Sequence, residues 1–162
     1  MTEGIRRLHS LSWEEASANL FQCCGSTKWA HRMANQRPFQ DLQALLETAD
    51  RIWWDLGRED WLEAFSRHPK IGEKTTSRWS EEEQSGARGA SRETLEALLE
   101  ANRAYEAKFG YIFIVCASGK SSEEMLALLR ERLQHDPDAE IRVAAEEQRR
   151  ITRLRLEKLL TS

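Results

Sequence analysis

Tyr111-Ile112-Phe113-Ile114-Val115-Cys116-Ala117 is the only run in this 162-residue chain with the character of a β-strand. A strand satisfies its backbone against another strand, and even a two-stranded hairpin is marginal by itself. The sequence offers no second run to pair with it. The segment is therefore expected as a buried extended stretch inside a helical protein. Without a strand partner, such a stretch leaves backbone N–H groups to be satisfied by side chains or by a ligand.

The remainder reads as helices separated by caps and stops. Ser12-Trp13-Glu14-Glu15 has the pattern of a capping box, and Trp13, Ala16, Leu20 and Cys24 form one apolar face. That helix is expected to end near Cys24, with Gly25 as a left-handed stop. A short helix follows from Thr27 to Asn35, ended by Pro38. A longer one runs from Phe39 to Leu56, with Leu42, Leu45, Leu46, Ala49, Ile52 and Trp53 as its stripe and Gly57 as its stop. Glu59 to Ser66 forms another short helix. Lys70 to Arg78 reads as a loop, Ser80 opens a helix that breaks near Gly89, and a longer helix spans Ser91 to Lys108 with Gly110 as its stop. Ser121-Ser122-Glu123-Glu124 is a further capping box, starting a helix to about Gln134. Asp136-Pro137 is an N-cap with Pro at the first helical position, and the last helix reaches about Leu160. The expected fold is all-α, a single compact domain over residues 1–162, with about eight helices and one short extended segment.

Composition narrows the function classes. Lys plus Arg is 24 against 27 for Asp plus Glu, a net charge of −3, which gives no general attraction to nucleic acid or to an anionic membrane. No apolar run approaches the roughly 20 residues needed to span a bilayer, and Met1-Thr2-Glu3-Gly4 lacks an apolar signal segment. A cytoplasmic location is expected. Cys23, Cys24 and Cys116 are an odd set, two of them adjacent, which argues against a disulfide framework. They and the four His (His9, His31, His68, His135) lack metal-ligand spacing, so no metal is expected. Most of the six Trp fall on apolar stripes and read as core.

The residues best suited to chemistry surround Arg67-His68-Pro69-Lys70-Ile71-Gly72. The residue before a proline avoids the α region, so His68 is expected on a corner at a helix end, where its ring can face a cleft. Trp79-Ser80-Glu81-Glu82-Glu83-Gln84 then places an acid and an amide at a helix start. His, Glu and Gln together can move protons and hold a polar substrate. Each has a plainer explanation. His68 can be a loop residue, and Ser80-x-x-Glu83 is itself a capping box; Gln84 is less easily explained that way. Arg155 stands among Arg149, Arg150, Arg153 and Lys158, a solvated basic face near a helix C-terminus. It also borders Ile151, Leu154 and Leu159, and at the edge of an apolar face an Arg needs an anion.

Taken in order, these stretches are more specific than any one of them. His68-Pro69-Lys70-Ile71-Gly72, Trp79-Ser80-x-x-Glu83-Gln84-x-Gly86, Asn102-x-x-Tyr105-Glu106-x-Lys108-Phe109-Gly110 continuing through Tyr111 to Ala117, and Ile151-Thr152-x-Leu154-Arg155-Leu156 resemble the 2-oxo-4-hydroxy-4-carboxy-5-ureidoimidazoline (OHCU) decarboxylase family. Cys23-Cys24-Gly25-Ser26 belongs to the same resemblance, which covers nearly the whole chain. It implies an all-helical, cofactor-free enzyme that forms (S)-allantoin at the last step of urate degradation. It places the catalytic His at His68 and the acid at Glu83. Substrate binding falls to Pro69, Ser80, Gln84 and Arg155, and to the backbone around Tyr111, Ile112, Phe113 and Ile114. Where relatives carry Pro in that region this chain has Ile112, which adds an N–H.

The chemistry implied suits these groups. The carboxylate-bearing carbon of the substrate adjoins a ring C=N, which accepts the electron pair that a cofactor would otherwise take. Arg155 can grip carbonyl oxygens with a planar fork, and Gln84 can donate to and accept from a ureido group. His68 has a reference pKa of about 6.5 and exchanges protons near neutrality, with Glu83 to orient it or keep it charged. The expected partner is a small ureidoimidazoline, with neither nucleic acid nor membrane, and assembly as a homodimer is left open. Two rival readings are a non-catalytic helical interaction module and a hydrolase of a related ureide.

Overall fold

The computed structural model describes residues 2–70 and 91–161. These residues form eight α-helices and no strand: α1 Glu3–Ser10, α2 Trp13–Cys23, α3 Thr27–Asn35, α4 Leu42–Asp55, α5 Arg58–Phe65, α6 Arg92–Phe109, α7 Ser122–Arg132 and α8 Pro137–Thr161. The protein is all-α. It divides into two compact units, one taking the chain up to Ala64 together with the part from Arg149 onward, the other running from Phe65 to Gln148. Helix α8 supplies its first part to the second unit and its remainder to the first. Among the described residues no helix is long and apolar enough to cross a membrane.

In the first unit α2 packs on α3 and α3 on α4. Their starts are set by side chains that accept the otherwise orphaned N–H groups of a helix N-terminus. Ser12 accepts from the Glu15 N–H at 3.1 Å, Ser26 from Trp29 at 3.2 Å, and Asp41 from Ala44 at 2.8 Å. Asp41 is why α4 begins at Leu42 and not at Phe39. Phe39 is buried ahead of the helix and gives its N–H to His9 Nε2 at 2.9 Å. The core holds Ile5, Leu20, Trp29, Met33, Leu45 and Trp53, and Trp29 satisfies its indole on the Ala49 carbonyl at 3.1 Å.

Helix α1, which was not among the expected helices, docks on the end of α8. Thr2 accepts from the Ile5 N–H and donates its hydroxyl to the Leu160 carbonyl at 2.9 Å. A Cβ on Gly4 would stand 2.1 Å from the same carbonyl oxygen, so only glycine permits this approach.

Two expectations for this unit are corrected. Gly25 is not a left-handed stop; among the described residues the glycines with positive φ are Gly110 and Gly119. Gly57 does follow the end of its helix, at Asp55 with Leu56 as the cap. Helices α2 and α4 end because Cys24 and Leu56 turn extended, and Cys24 leads directly into the Ser26 cap of α3. The tryptophans are not uniformly core. Trp13 and Trp54 are 37% and 44% exposed, and Trp13 reaches Asn35 Oδ1 with its indole N–H at 2.8 Å.

In the second unit α6 packs on α7. Ser91 caps α6, and Gly110 ends it as expected, doing so with φ 84° in the left-handed conformation. Ser121 and Glu124 form the reciprocal capping box of α7, which stops at Arg132, short of Gln134. Between these helices the chain from Tyr111 to Ala117 is neither helix nor strand, with all but Ile112 buried. Aromatic rings line its start: Tyr111 meets Phe65 at 5.3 Å and Tyr105 at 5.8 Å between centroids, and Phe113 meets Tyr105 at 5.4 Å.

A buried ion pair organises the rest of this unit. Arg132 donates to Glu140 Oε2 from Nε at 2.8 Å and from Nη2 at 2.6 Å, while Tyr105 donates its hydroxyl to the same oxygen. His135 Nδ1 lies 2.9 Å from Glu140 Oε1. Removing one member would strand a charge away from water, so the cluster is tolerable only as a set.

Candidate functional site

His68 sits where the sequence puts it, on the corner that follows α5. The His68 N–H donates to the Phe65 carbonyl at 3.2 Å, which turns the chain out of the helix, and Pro69 prevents its resumption. The ring is half-buried. Its Nε2 lies 2.6 Å from Oε1 of Gln148, a fully buried residue of α8. Lys70, the next residue but one, pairs with Glu106 of α6 at 3.2 Å.

The other three histidines have structural posts. His9 accepts the Phe39 N–H; burial lowers its pKa, with Arg37 adding to the effect. His31 packs on the Trp13 ring, and His135 leans on Glu140. Among the described residues no group of three or more His, Cys, Asp and Glu is placed to hold a metal ion. Ser80, Glu83 and Gln84, with the loop from Ile71 and the helix expected from Ser80, lie outside the described residues.

The extended segment lies in the same unit as His68 and is tied down by side chains. The Ile114 carbonyl accepts from Arg132 Nη1 at 2.6 Å, the Cys116 N–H donates to Glu147 Oε1 at 3.1 Å, and the Cys116 carbonyl accepts from Lys120 Nζ at 2.7 Å. Arg132 also lies over the Phe113 ring, 4.4 Å from its centroid. Helices α7 and α8 thus supply by side chain what a neighbouring strand would have supplied by backbone. Glu147 and Gln148, consecutive on α8, tie the extended segment and the His68 corner to one helix.

Arg155 belongs to the first unit. It is more deeply buried than the edge position expected, at 8% exposure, and donates from Nη1 to the Gln22 carbonyl at 3.2 Å. Its neighbourhood includes Cys24. Burial pushes the Cys24 thiol up to about 12, against the opposing pull of hydrogen bonds with Thr152 and Ser26 and of the Arg155 charge.

Gln148, Arg132, Glu140 and Glu147 were not among the expected site residues. For Gln148 a signal existed. It falls on the buried stripe of α8 with Ile141, Ala144, Ala145, Ile151 and Thr152, and a polar residue on such a stripe needs a partner.

Comparison with known proteins gives a consistent result. The chain matches the family model described as OHCU decarboxylase over residues 9–157. It is 43% identical over 148 residues to the uric acid degradation bifunctional protein TTL of Arabidopsis thaliana, a match covering 86% of this chain and 45% of that protein. The chain therefore spans less than half the length of that relative. It is 28% identical over 162 residues to the 2-oxo-4-hydroxy-4-carboxy-5-ureidoimidazoline decarboxylase of Haloferax volcanii, covering 98% of this chain and 95% of that one. Among solved structures, an OHCU decarboxylase crystallised in the presence of (S)-allantoin is 42% identical, with a TM-score of 0.81 over 88% of this chain and 96% of that chain.

Proposed function

From the premise that this chain belongs to the OHCU decarboxylase family, we infer that residues 1–162 act as one domain that decarboxylates 2-oxo-4-hydroxy-4-carboxy-5-ureidoimidazoline to (S)-allantoin. The observation that carries this reading is the likeness, at 42% identity and a TM-score of 0.81, to an OHCU decarboxylase crystallised with (S)-allantoin.

The substrate contains its own electron sink. As the carbon–carboxylate bond breaks and CO2 leaves, the electron pair passes into the ring C=N. The hydroxyl then becomes a carbonyl, releasing its proton, while the ring nitrogen and the ureido-bearing carbon each gain one. One proton is consumed overall. The step that needs an enzyme is delivery of the carbon-bound proton to one face, because unassisted protonation gives both enantiomers.

His68 fits proton exchange with the substrate, since an imidazole titrates near neutrality and this one is already oriented by a buried amide. Pro69 fixes the corner beside it. Glu83 is assigned to orient or charge His68, and Ser80 and Gln84 to hold the ureido group. Arg155 is assigned to grip ring or ureido carbonyls, and the backbone from Tyr111 to Ile114 to meet the ligand. No cofactor is required by this chemistry. The near-balanced charge gives no general attraction to nucleic acid or to an anionic membrane, which suits an enzyme whose partner is this small molecule; a cytoplasmic location is part of the same reading.

The test is to supply freshly generated OHCU and to follow allantoin by circular dichroism. Optically active allantoin formed faster than the spontaneous rate is the expected result. Racemic allantoin at the spontaneous rate would leave a binding module, and a ring-opened product would indicate a hydrolase.

A further inference from the structure

We propose that Gln148 is a positioning residue for the reaction: it holds a hydrogen on Nε2 of His68 and leaves Nδ1 as the nitrogen that gains and loses the proton. This rests on the reading of His68 as the acid–base group.

The geometry is specific. Oε1 of Gln148 is 2.6 Å from His68 Nε2. A carbonyl oxygen only accepts, so the ring nitrogen facing it must carry hydrogen. That holds for the neutral ring and for the imidazolium. The Nε2–H is thus constant through the catalytic cycle, and the titrating position is Nδ1. Gln148 is fully buried on the long helix α8. Its neighbour Glu147 is committed to the Cys116 N–H. The backbone on both sides of Gln148 is helical, and burial fixes its side chain, so its oxygen is held before substrate arrives.

The choice of an amide has a chemical consequence. A carboxylate at this distance would select the same tautomer but would also favour the charged ring. An amide selects the tautomer without adding a full charge. It sets which nitrogen acts and leaves the charge state of His68 to other neighbours.

The experiment labels the protein with 15N-histidine and reads the ring nitrogens by NMR, with His68 identified by the signals lost in His68→Gln. The expected wild-type result is a protonated Nε2 and a bare Nδ1 in the neutral ring. Gln148→Leu is expected to abolish that preference and to lower kcat about 10–100-fold, with KM changed by no more than about threefold, because orientation matters in the transition state and not in binding. Gln148→Glu keeps an acceptor oxygen and is expected to retain the tautomer and recover part of kcat. A wild-type His68 carrying its hydrogen on Nδ1 would overturn the proposal, and this measurement does not depend on whether any Gln148 variant folds. So would a folded Gln148→Leu protein with unchanged kcat. Unimpaired turnover in His68→Ala would instead defeat the acid–base reading itself, so the two failures are distinct.

Discussion

Arg132 and Ile114 are joined by a 2.6 Å hydrogen bond from the guanidinium to the backbone carbonyl. The same guanidinium neutralises Glu140, which has no exposed surface. Arg132→Met should therefore leave a buried carboxylate without its counter-ion and destabilise the protein by about 3–5 kcal/mol. Replacing both partners, Arg132→Met with Glu140→Leu, should recover a large part of that loss. Urea denaturation of the two variants and the parent measures it; equal midpoints for all three would remove the pair from any role in stability.

His68→Ala should reduce turnover about 10²–10⁴-fold, the range for a positioned acid–base group. The melting temperature should stay near that of the parent, since the ring is half-buried on a corner. Steady-state kinetics beside a thermal melt make the comparison, and near-parental turnover would sink the role.

Glu83→Gln separates capping from catalysis. Glutamine also serves at the third position of a capping box and keeps the shape, so both explanations expect an unchanged melting temperature. Only a catalytic role expects decarboxylation to slow by about tenfold or more. Single-turnover rates on the same preparation used for melting decide between them, and the slower rate is expected.

Stability should fall at high pH, and Cys24 is one cause. Burial raises its thiol from 9.0 to about 12. A raised folded-state pKa means the folded protein holds a proton the unfolded chain has released. The stabilisation is complete below pH 9 and is lost as pH climbs toward 12, with a slope on the order of 1 kcal/mol per pH unit. Cys24→Ala should flatten that slope. Tyr105, whose hydroxyl burial also pushes upward from 10.0, should preserve the remainder. Denaturation midpoints from pH 8 to 11 test this; identical slopes for parent and variant would count against the assignment.

Activity should survive exhaustive chelation. The substrate supplies the electron sink, and the residues assigned to it are proton donors and hydrogen-bonding groups. Loss with EDTA and recovery on adding a metal ion would contradict this.

The helices were legible because their signals are local. Ser12, Ser91, Ser121 and Pro137 lie at or beside real starts, and Gly110 is a real stop. Gly57 likewise marks the end of α4, whereas Gly25 misled as to conformation, because a glycine after an apolar stripe marks a helix end without fixing its φ. Helix α1 has only Gly4, Ile5 and Leu8 buried and is stabilised by contact with the end of α8, which is remote in sequence. The corner at His68 was legible for a similar local reason, the proline after it. Its partner was not, because Gln148 lies 80 residues away and the pairing exists only after folding. Arg155 was legible by helical position, but its depth was not, since that depends on what covers the stripe.

The extended segment at Tyr111–Ala117 has a consequence for how this protein can change over generations. Strand pairing runs between main chains and is indifferent to most substitutions, so a sheet preserves its geometry while its sequence drifts. Here the Ile114 and Cys116 backbone groups are held by Arg132, Glu147 and Lys120. A segment assigned to meet the ligand is thereby under the control of codons for three side chains outside it. One mutation at any of them can re-aim the segment without altering a residue within it. Selection can then tune it from a distance, by a route that a β-sheet would have closed.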